Sequence, residues 1–338
     1  VHGTGYMPVT TVLAHMGINV SVVPEQAVPD SEFSTVRVPN PEEADTLAMG
    51  VKLADEIGSD VVIGTDPDAD RMGVAIRDDK GKFVLLNGNR TGALMTEYIL
   101  RRRKESGTLP ENGAIVKTIV TTELARKIAD SYGVTTFDVL TGFKYIGEKI
   151  KEWETSGEYT YLFGFEESYG SLVGTHARDK DAVMAVVALC EAAAYYASRG
   201  ETLWDAMLAM YERYGYYAED LASLTLQGAD GAEKIARMMS SLREHPAERV
   251  GARRVLALRD YACGIRYDLA AKTQAPTGLP KSNVLYFELE DGAWCCVRPS
   301  GTEPKIKFYF GVKGASLADA HAQLDTLKRD FLQIFTEE

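Results

Sequence analysis

The stretch DVVIGTDPDADRMG, residues 60–73, decides the fold. Its opening DVVIG reads as a short buried strand. Asp66, Asp68 and Asp70 follow directly, and Arg71 closes the turn. Polar residues just past a strand's C-terminal end stand where α/β sheets place ligands. Three like charges on one turn repel, and the best offset is a hard divalent cation. Mg²⁺ takes oxygen ligands and leaves positions for water or a substrate phosphate. A calcium EF-hand loop is excluded, because its sixth place holds Arg71 instead of Gly and its twelfth Arg77 instead of Glu. The plainer reading is a solvated acidic turn that caps a helix, with Arg71 in a salt bridge. The sharper one makes Arg71 a phosphate contact beside the metal.

Around this stretch helix and strand patterns alternate, as in α/β layers. Met7–Met16 has helical apolar spacing and stops at Gly17. INVSVV (18–23) alternates like a strand, and a Pro-rich loop follows. Asn40-Pro41-Glu42-Glu43 predicts a helix start, with Asn40 as N-cap and Pro41 in the first position. That helix runs to Ile57, where Gly58 closes it. A second α/β block starts at Asn87: a helix over 91–103, a strand over 114–120, a helix over 122–132, the strand VTTFDVL, the loop TGFKYIG (141–147), a helix through Trp153, the strand YTYLFGF (159–165) and a helix over 181–198. Past residue 215 short strands, a helix near 230–243 and a terminal helix over 316–335 predict a smaller α+β domain. The expected organisation is two similar α/β domains, each a mixed sheet flanked by helices and the first truncated, over 1–86 and 87–214. The α+β C-terminal domain covers 215–338.

At 338 residues and 45% hydrophobic, the chain has material for two or three domains. A net charge of −12 argues against a general nucleic-acid binder but leaves room for a basic pocket that takes an anionic small molecule. No apolar run reaches the roughly 18 residues of a membrane span. No secretory signal is expected. Cys190, Cys263, Cys295 and Cys296 lack metal-site spacing, and reduced thiols in a cytoplasm are the simplest expectation.

Four further motifs carry chemistry. RPSGTEP (298–304) supplies a guanidinium, hydroxyls and N–H groups around Gly301 that suit one phosphate, with Arg298 able to bond it bidentately; a plain surface turn would look similar. GFEESYG (164–170) puts a glutamate pair at a strand end, for sugar hydroxyls or acid/base work, though such pairs are usually solvated surface. TGFKYIG (141–147) and HARDKDA (176–182) add Lys144, His176, Arg178 and Lys180, each individually unremarkable in a loop.

Together these motifs resemble the α-D-phosphohexomutases, which convert sugar 1-phosphates and 6-phosphates. GTDPDADRMG, TGFKYIGEKI, FGFEESYG, ARDKDA and RPSGTEPK stand in that family's order across nearly the whole chain. The wording is most similar to bacterial enzymes of the phosphoglucomutase/phosphomannomutase group. The resemblance implies that Asp66, Asp68 and Asp70 bind Mg²⁺ and that Glu166 and Ser168 bind sugar hydroxyls. It implies that Arg298, Ser300, Gly301 and Thr302 hold the phosphate that is not transferred. Lys180 would touch the phosphosugar and is a candidate for proton transfer, with Arg71 beside it as the second catalytic candidate. Arg178 would also contact substrate, and Gly142 and Lys144 belong to a loop that senses which sugar end faces the metal. The ligands implied are hexose phosphates and a hexose bisphosphate, without nucleic acid or membrane.

The chain departs from the family in one respect. The family's first domain carries T-A-S-H-N-P, whose serine hands phosphate to substrate, and no Ser-His pair occurs in this sequence. VHGTGYMPV resembles the start of the family's second domain. The expectation is a C-terminal fragment, with most of domain two followed by domains three and four, whose partner is the N-terminal phosphoserine domain of the same parent. Such a chain would bind ligand without mutase turnover. A non-catalytic phosphosugar-binding module and a metal-dependent phosphatase remain open as alternatives, as does the choice among glucose, mannose and pentose.

Overall fold

A computed structural model describes residues 1–226, 230–300 and 304–335. The contacts divide it into two compact units, Val1–Tyr214 and Gly215–Glu338.

The first unit opens with α1 (Tyr6–His15), a single turn α2 (Pro24–Ala27) and α3 (Ala44–Ile57). Strands β1 (Val61–Thr65), β2 (Met72–Arg77) and β3 (Phe83–Leu86) form an antiparallel sheet in that order. Leu47 and Ala54 of α3 pack on Val62 and Ala75, which covers one face. Gly58 ends α3 in the left-handed conformation at φ 72°, which glycine adopts without a Cβ clash.

The second block begins with α4 (Gly88–Glu105), capped by the Asn87 side chain, which accepts from the Arg90 N–H. Arg102, Arg103 and Lys104 in its last turn complement the helix dipole. There follow β4 (Gly113–Thr118), α5 (Glu123–Tyr132), β5 (Thr135–Val139), α6 (Lys144–Ser156), β6 (Thr160–Phe165), β7 (Ser171–Val173), α7 (Ala182–Ala197) and α8 (Leu203–Tyr214). The sheet is mixed, in the order β5-β4-β6-β7: β4 runs parallel to β5 and β6, and β7 is antiparallel to β6. Val116, Ile146, Ile150 and Trp153 build the core on the α6 side.

Among its described residues the second unit is an antiparallel eight-stranded sheet with two α-helices. Its strands are β8 (Tyr216–Thr225), β9 (Arg249–Val250), β10 (Arg253–Asp260), β11 (Ile265–Asp268), β12 (Thr273–Pro276), β13 (Leu285–Leu289), β14 (Trp294–Pro299) and β15 (Lys305–Gly314). They lie in the order β12-β11-β10-β13-β14-β15-β8, with β9 on β10. Helices α9 (Gly231–Glu244) and α10 (Leu317–Gln333) bury Ile235, Met239, Leu327 and Phe331 against Phe287, Phe308 and Phe310.

The chain is thus two α/β blocks followed by an α+β unit, as the sequence patterns predict. Several elements differ in detail. INVSVV is not a strand: residues 18–23 have no ladder partner among the described residues, and period-two alternation alone does not supply one. The described strands of the first sheet are all antiparallel, so only the second sheet is mixed. The helix expected at Asn40 begins at Ala44, because Asn40 Oδ1 accepts from the Glu42 N–H in a turn of its own. TGFKYIG is a loop only to Phe143, and Lys144 already starts α6. Helix α8 and strand β12 are not anticipated by the sequence patterns.

Candidate functional site

Asp66, Asp68 and Asp70 lie on the tight connection between β1 and β2, a hairpin rather than a strand-to-helix turn. One carboxylate oxygen of each falls within 4.8 Å of the others. The turn closes through Ala69 at φ 58°, a conformation that costs a non-glycine residue on the order of 1 kcal/mol. Asp66 is buried, and its Oδ1 accepts from the N–H groups of Asp70 and Arg71, each at 3.0 Å. Burial, with the charges of Asp70 and Asp68, pushes its carboxyl up to about 6 against the pull of the Arg71 N–H. Asp70 Oδ1 is buried without a hydrogen-bond partner among the described residues. Convergent hard oxygens, one of them unpartnered, fit a divalent cation.

Cations stand at the rim of this cluster. Lys180 Nζ lies 2.9 Å from Asp70 Oδ2 and 3.0 Å from Asp179 Oδ1. Burial pulls the ammonium's pKa down, but the bonds to the two carboxylates outweigh it and hold it above the ordinary lysine value. The Lys180 stem crosses the backbone of Gly170, where a Cβ would come within 2.1 Å of Cδ. Arg71 is held loosely: Nε is 3.6 Å from Asp70 and 3.8 Å from Asp66, and Nη1 is 3.8 Å from Glu42.

The backbone ties the aspartate turn to the second block. Arg71 and Gly170 form a β-bridge, Met72 N–H donates to the Tyr169 carbonyl, and Ala182 N–H donates to the Ala69 carbonyl. Gly170 belongs to the β6–β7 hairpin, which carries Glu166, Glu167 and Ser168. Glu166 is buried, and its Oε1 accepts from Gly142 N–H at 2.9 Å. Burial first, then the charge of Glu167, pushes its carboxyl up to about 7, against Gly142 N–H, Lys180 and Arg71. Gly142 has φ 118°, which presents its N–H to Glu166 in a conformation that favours glycine. Glu167 turns inward and accepts from Thr118 and Thr121, so the two glutamates have different surroundings. Ser168 is half-buried between them and the bridge.

Other expected residues stand apart from this cluster. Arg178 is exposed and bonds to Glu154 and to the carbonyls of Thr175 and Ala177. Lys144 is exposed, its ammonium 4.9 Å from the ring of Tyr145. His176 bonds to Asp181, the N-cap of α7. In the second unit Arg298 pairs across the sheet with Lys307, and Ser300 N–H donates to the Lys305 carbonyl. Gly301 and Thr302 lie outside the described residues.

Sequence reasoning missed the braces of the site. Thr4 bonds to the Pro67 carbonyl, and Gly3 lies so close to Pro67 that a Cβ would meet its oxygen at 2.1 Å. Glu42 reaches Arg71 from the loop before α3. The only signal for these contacts was glycine or charge in loops, which has no preferred partner until the chain is folded.

Comparison with known proteins follows the same division. Residues 1–81 match the family model described as phosphoglucomutase/phosphomannomutase, alpha/beta/alpha domain II. Residues 87–214 match its alpha/beta/alpha domain III, and 253–324 its C-terminal domain. A phosphoglucomutase of Staphylococcus epidermidis is 38% identical over 310 residues, 91% of this chain and 55% of the relative. One from Staphylococcus aureus is 35% identical over 327 residues, 96% of this chain and 58% of the relative. The chain thus spans little more than half the length of these relatives. Among solved structures, the open form of Paramecium parafusin, a phosphoglucomutase, superposes with TM-score 0.66 at 16% identity, over 100% of this chain and 57% of that one. A phosphoglucomutase/phosphomannomutase family protein of Burkholderia thailandensis gives 0.65 at 16% identity, over 98% and 58%. These structural likenesses concern the fold. With three consecutive domain models of one family matched in order, and relatives at this identity along nearly its whole length, the chain belongs to the phosphoglucomutase/phosphomannomutase family.

Proposed function

We propose that this chain is the metal- and phosphosugar-binding part of a phosphoglucomutase, an isomerase that interconverts hexose 1-phosphate and hexose 6-phosphate through a bisphosphorylated intermediate. One observation carries the reading: three carboxylates converge beside Lys180 and Arg71, on a turn whose backbone is bridged to the Glu166 hairpin. Residues 1–86, 87–214 and 215–338 are then domains two, three and four. Glucose is the favoured sugar because the sequence relatives are phosphoglucomutases.

Asp66, Asp68 and Asp70 would hold Mg²⁺, which acts as a Lewis acid on phosphoryl oxygens. Arg71, with a buried Nε that has no hydrogen-bond partner among the described residues, would donate to the same phosphoryl group. Lys180 would touch the phosphosugar as a charged donor. Its raised pKa keeps the proton on Nζ, so it suits donation better than general-base work. Glu166, oriented by Gly142 N–H, and Ser168 would bond the sugar hydroxyls. Arg298, Ser300, Gly301 and Thr302 would hold the other phosphate. Lys144 and Arg178 would join only by leaving Tyr145 and Glu154.

The serine that supplies the first phosphate in the family has no counterpart here, since the 338 residues hold no Ser-His pair. The chain alone therefore binds ligand without turnover, and the phosphoserine domain of the parent is its partner. Titration of glucose 1,6-bisphosphate with Mg²⁺ present, beside a coupled mutase assay, tests this. Saturable binding without turnover is expected. No binding at millimolar ligand, or turnover by the purified chain, overturns it.

A further inference from the structure

Lys180 carries one ammonium between two carboxylates of different kind. Nζ lies 2.9 Å from Asp70 Oδ2, inside the aspartate cluster, and donates to Asp179 Oδ1 at 3.0 Å, outside that cluster. The lysine side chain is 14% exposed and that of Asp179 74%, so the second partner stands on the solvent side of the ammonium. The backbone around this arrangement is fixed. Asp181 N–H donates to the Ser171 carbonyl and Ala182 N–H to the Ala69 carbonyl, which ties the chain just after Lys180 to β7 and to the aspartate turn. The lysine stem runs against Gly170, and Nζ lies 5.7 Å from the Phe143 ring. Asp179 is clamped by its own neighbour, since its Oδ1 also accepts from the Lys180 N–H at 2.8 Å. Both carboxylates are already within hydrogen-bond reach of Nζ, so a small rotation at the end of the stem shifts the ammonium from one to the other.

A divalent cation among Asp66, Asp68 and Asp70 changes the balance between these partners. It takes up the negative charge of Asp70 and repels the ammonium beside it, whereas Asp179, outside the cluster, keeps its attraction. We propose that Asp179 is a positioning residue for Lys180: it receives the ammonium when the aspartate turn takes a divalent cation, and holds it at the rim for a phosphoryl oxygen. The proposal rests on the reading of the turn as a metal site and of Lys180 as a phosphosugar contact. Its sign opposes that of plain electrostatics. By charge alone an exposed carboxylate repels an anionic ligand, so its removal should tighten binding. As a hold for Lys180, its removal should loosen binding.

The test joins crystal structures of the full chain without and with Mg²⁺ to calorimetric titration of glucose 1,6-bisphosphate at saturating Mg²⁺. The proteins are the native chain, Asp179→Asn, Asp179→Glu, Lys180→Met and the double variant of Asp179→Asn with Lys180→Met. On Mg²⁺ binding, Nζ should leave hydrogen-bond distance of Asp70 and stay within it of Asp179. Bisphosphate affinity should fall about three- to fivefold in Asp179→Asn, the upper range for one exposed ion pair, and recover in Asp179→Glu, which keeps the carboxylate. On the Lys180→Met background, Asp179→Asn should bring no further loss. An ammonium still on Asp70 with Mg²⁺ bound, unchanged or tighter bisphosphate binding in Asp179→Asn, or an equal loss on both backgrounds overturns the proposal and leaves the metal and phosphosugar readings standing. No Mg²⁺ or no bisphosphate bound by the native chain overturns those readings and the proposal with them.

Discussion

Lys180 shares its ammonium between Asp70 at 2.9 Å and Asp179 at 3.0 Å, so it competes with any cation for Asp70. Lys180→Met should therefore tighten Mg²⁺ binding severalfold and weaken binding of the bisphosphate by at least tenfold, both measured calorimetrically. Parallel losses of both affinities would instead mean a collapsed site. Glu166 gives a pH signature. Its carboxyl titrates near 7 in the fold against an ordinary 4.5, so between those values the folded chain holds the extra proton. The stability from this proton is complete below about 4.5 and is lost as pH rises through 7. The loss is on the order of 3–4 kcal/mol, because one pH unit corresponds to about 1.4 kcal/mol. Glu166→Gln keeps an acceptor for Gly142 and should remove that slope in urea unfolding from pH 5 to 8. An unchanged slope would assign it to another group. At this scale the clustering of the aspartates was legible, because three carboxylates within five residues of one turn lie close together. The orientation of Arg178 toward Glu154 was not, since a charged loop residue chooses among partners only once the fold has set their distances.

Among the elements, α4 shows how a helix can place a site without contributing a charge to it. Gly92 sits against the Phe165 ring. Replacing glycine by alanine inside a helix ordinarily stabilises by about 1 kcal/mol. Here overpacking of 1–3 kcal/mol should reverse that sign. Gly92→Ala is expected to lower the denaturation midpoint and to weaken ligand binding through the displaced hairpin; a stabilised variant would show that the helix shifts freely. Lys117 on β4 makes a comparable tie. It is fully buried and bonded to Glu123 at 2.8 Å and Asp138 at 3.0 Å, which joins α5 and β5 to the central strand. Removing one partner of a buried pair costs about 3–5 kcal/mol, so Lys117→Met should be among the most destabilising substitutions in a thermal melt. Helices with strong caps, such as α5 with Thr122 and Gly133, were readable to within a residue. INVSVV misled because alternation reports which faces could be buried, and pairing depends on a neighbour the local sequence does not name.

For the whole molecule, each unit has its own hydrophobic core, one around Val116, Ile146 and Ile150, the other around Phe287, Phe310 and Phe331. Order along the chain made the α/β blocks and the α+β unit legible, because periodicity changes from mixed to short-strand near residue 215. The backbone bridge between Arg71 and Gly170 was invisible there, since it joins residues about a hundred positions apart. The account depends most directly on the aspartate turn as a metal site. Isothermal titration of Mg²⁺ into the chain and into Asp68→Asn, with exposed Asp79→Asn as control, measures this. One site in the native chain and the control, weakened at least tenfold in Asp68→Asn, is the predicted result. Equal binding by all three proteins, or none by the native chain, would contradict it.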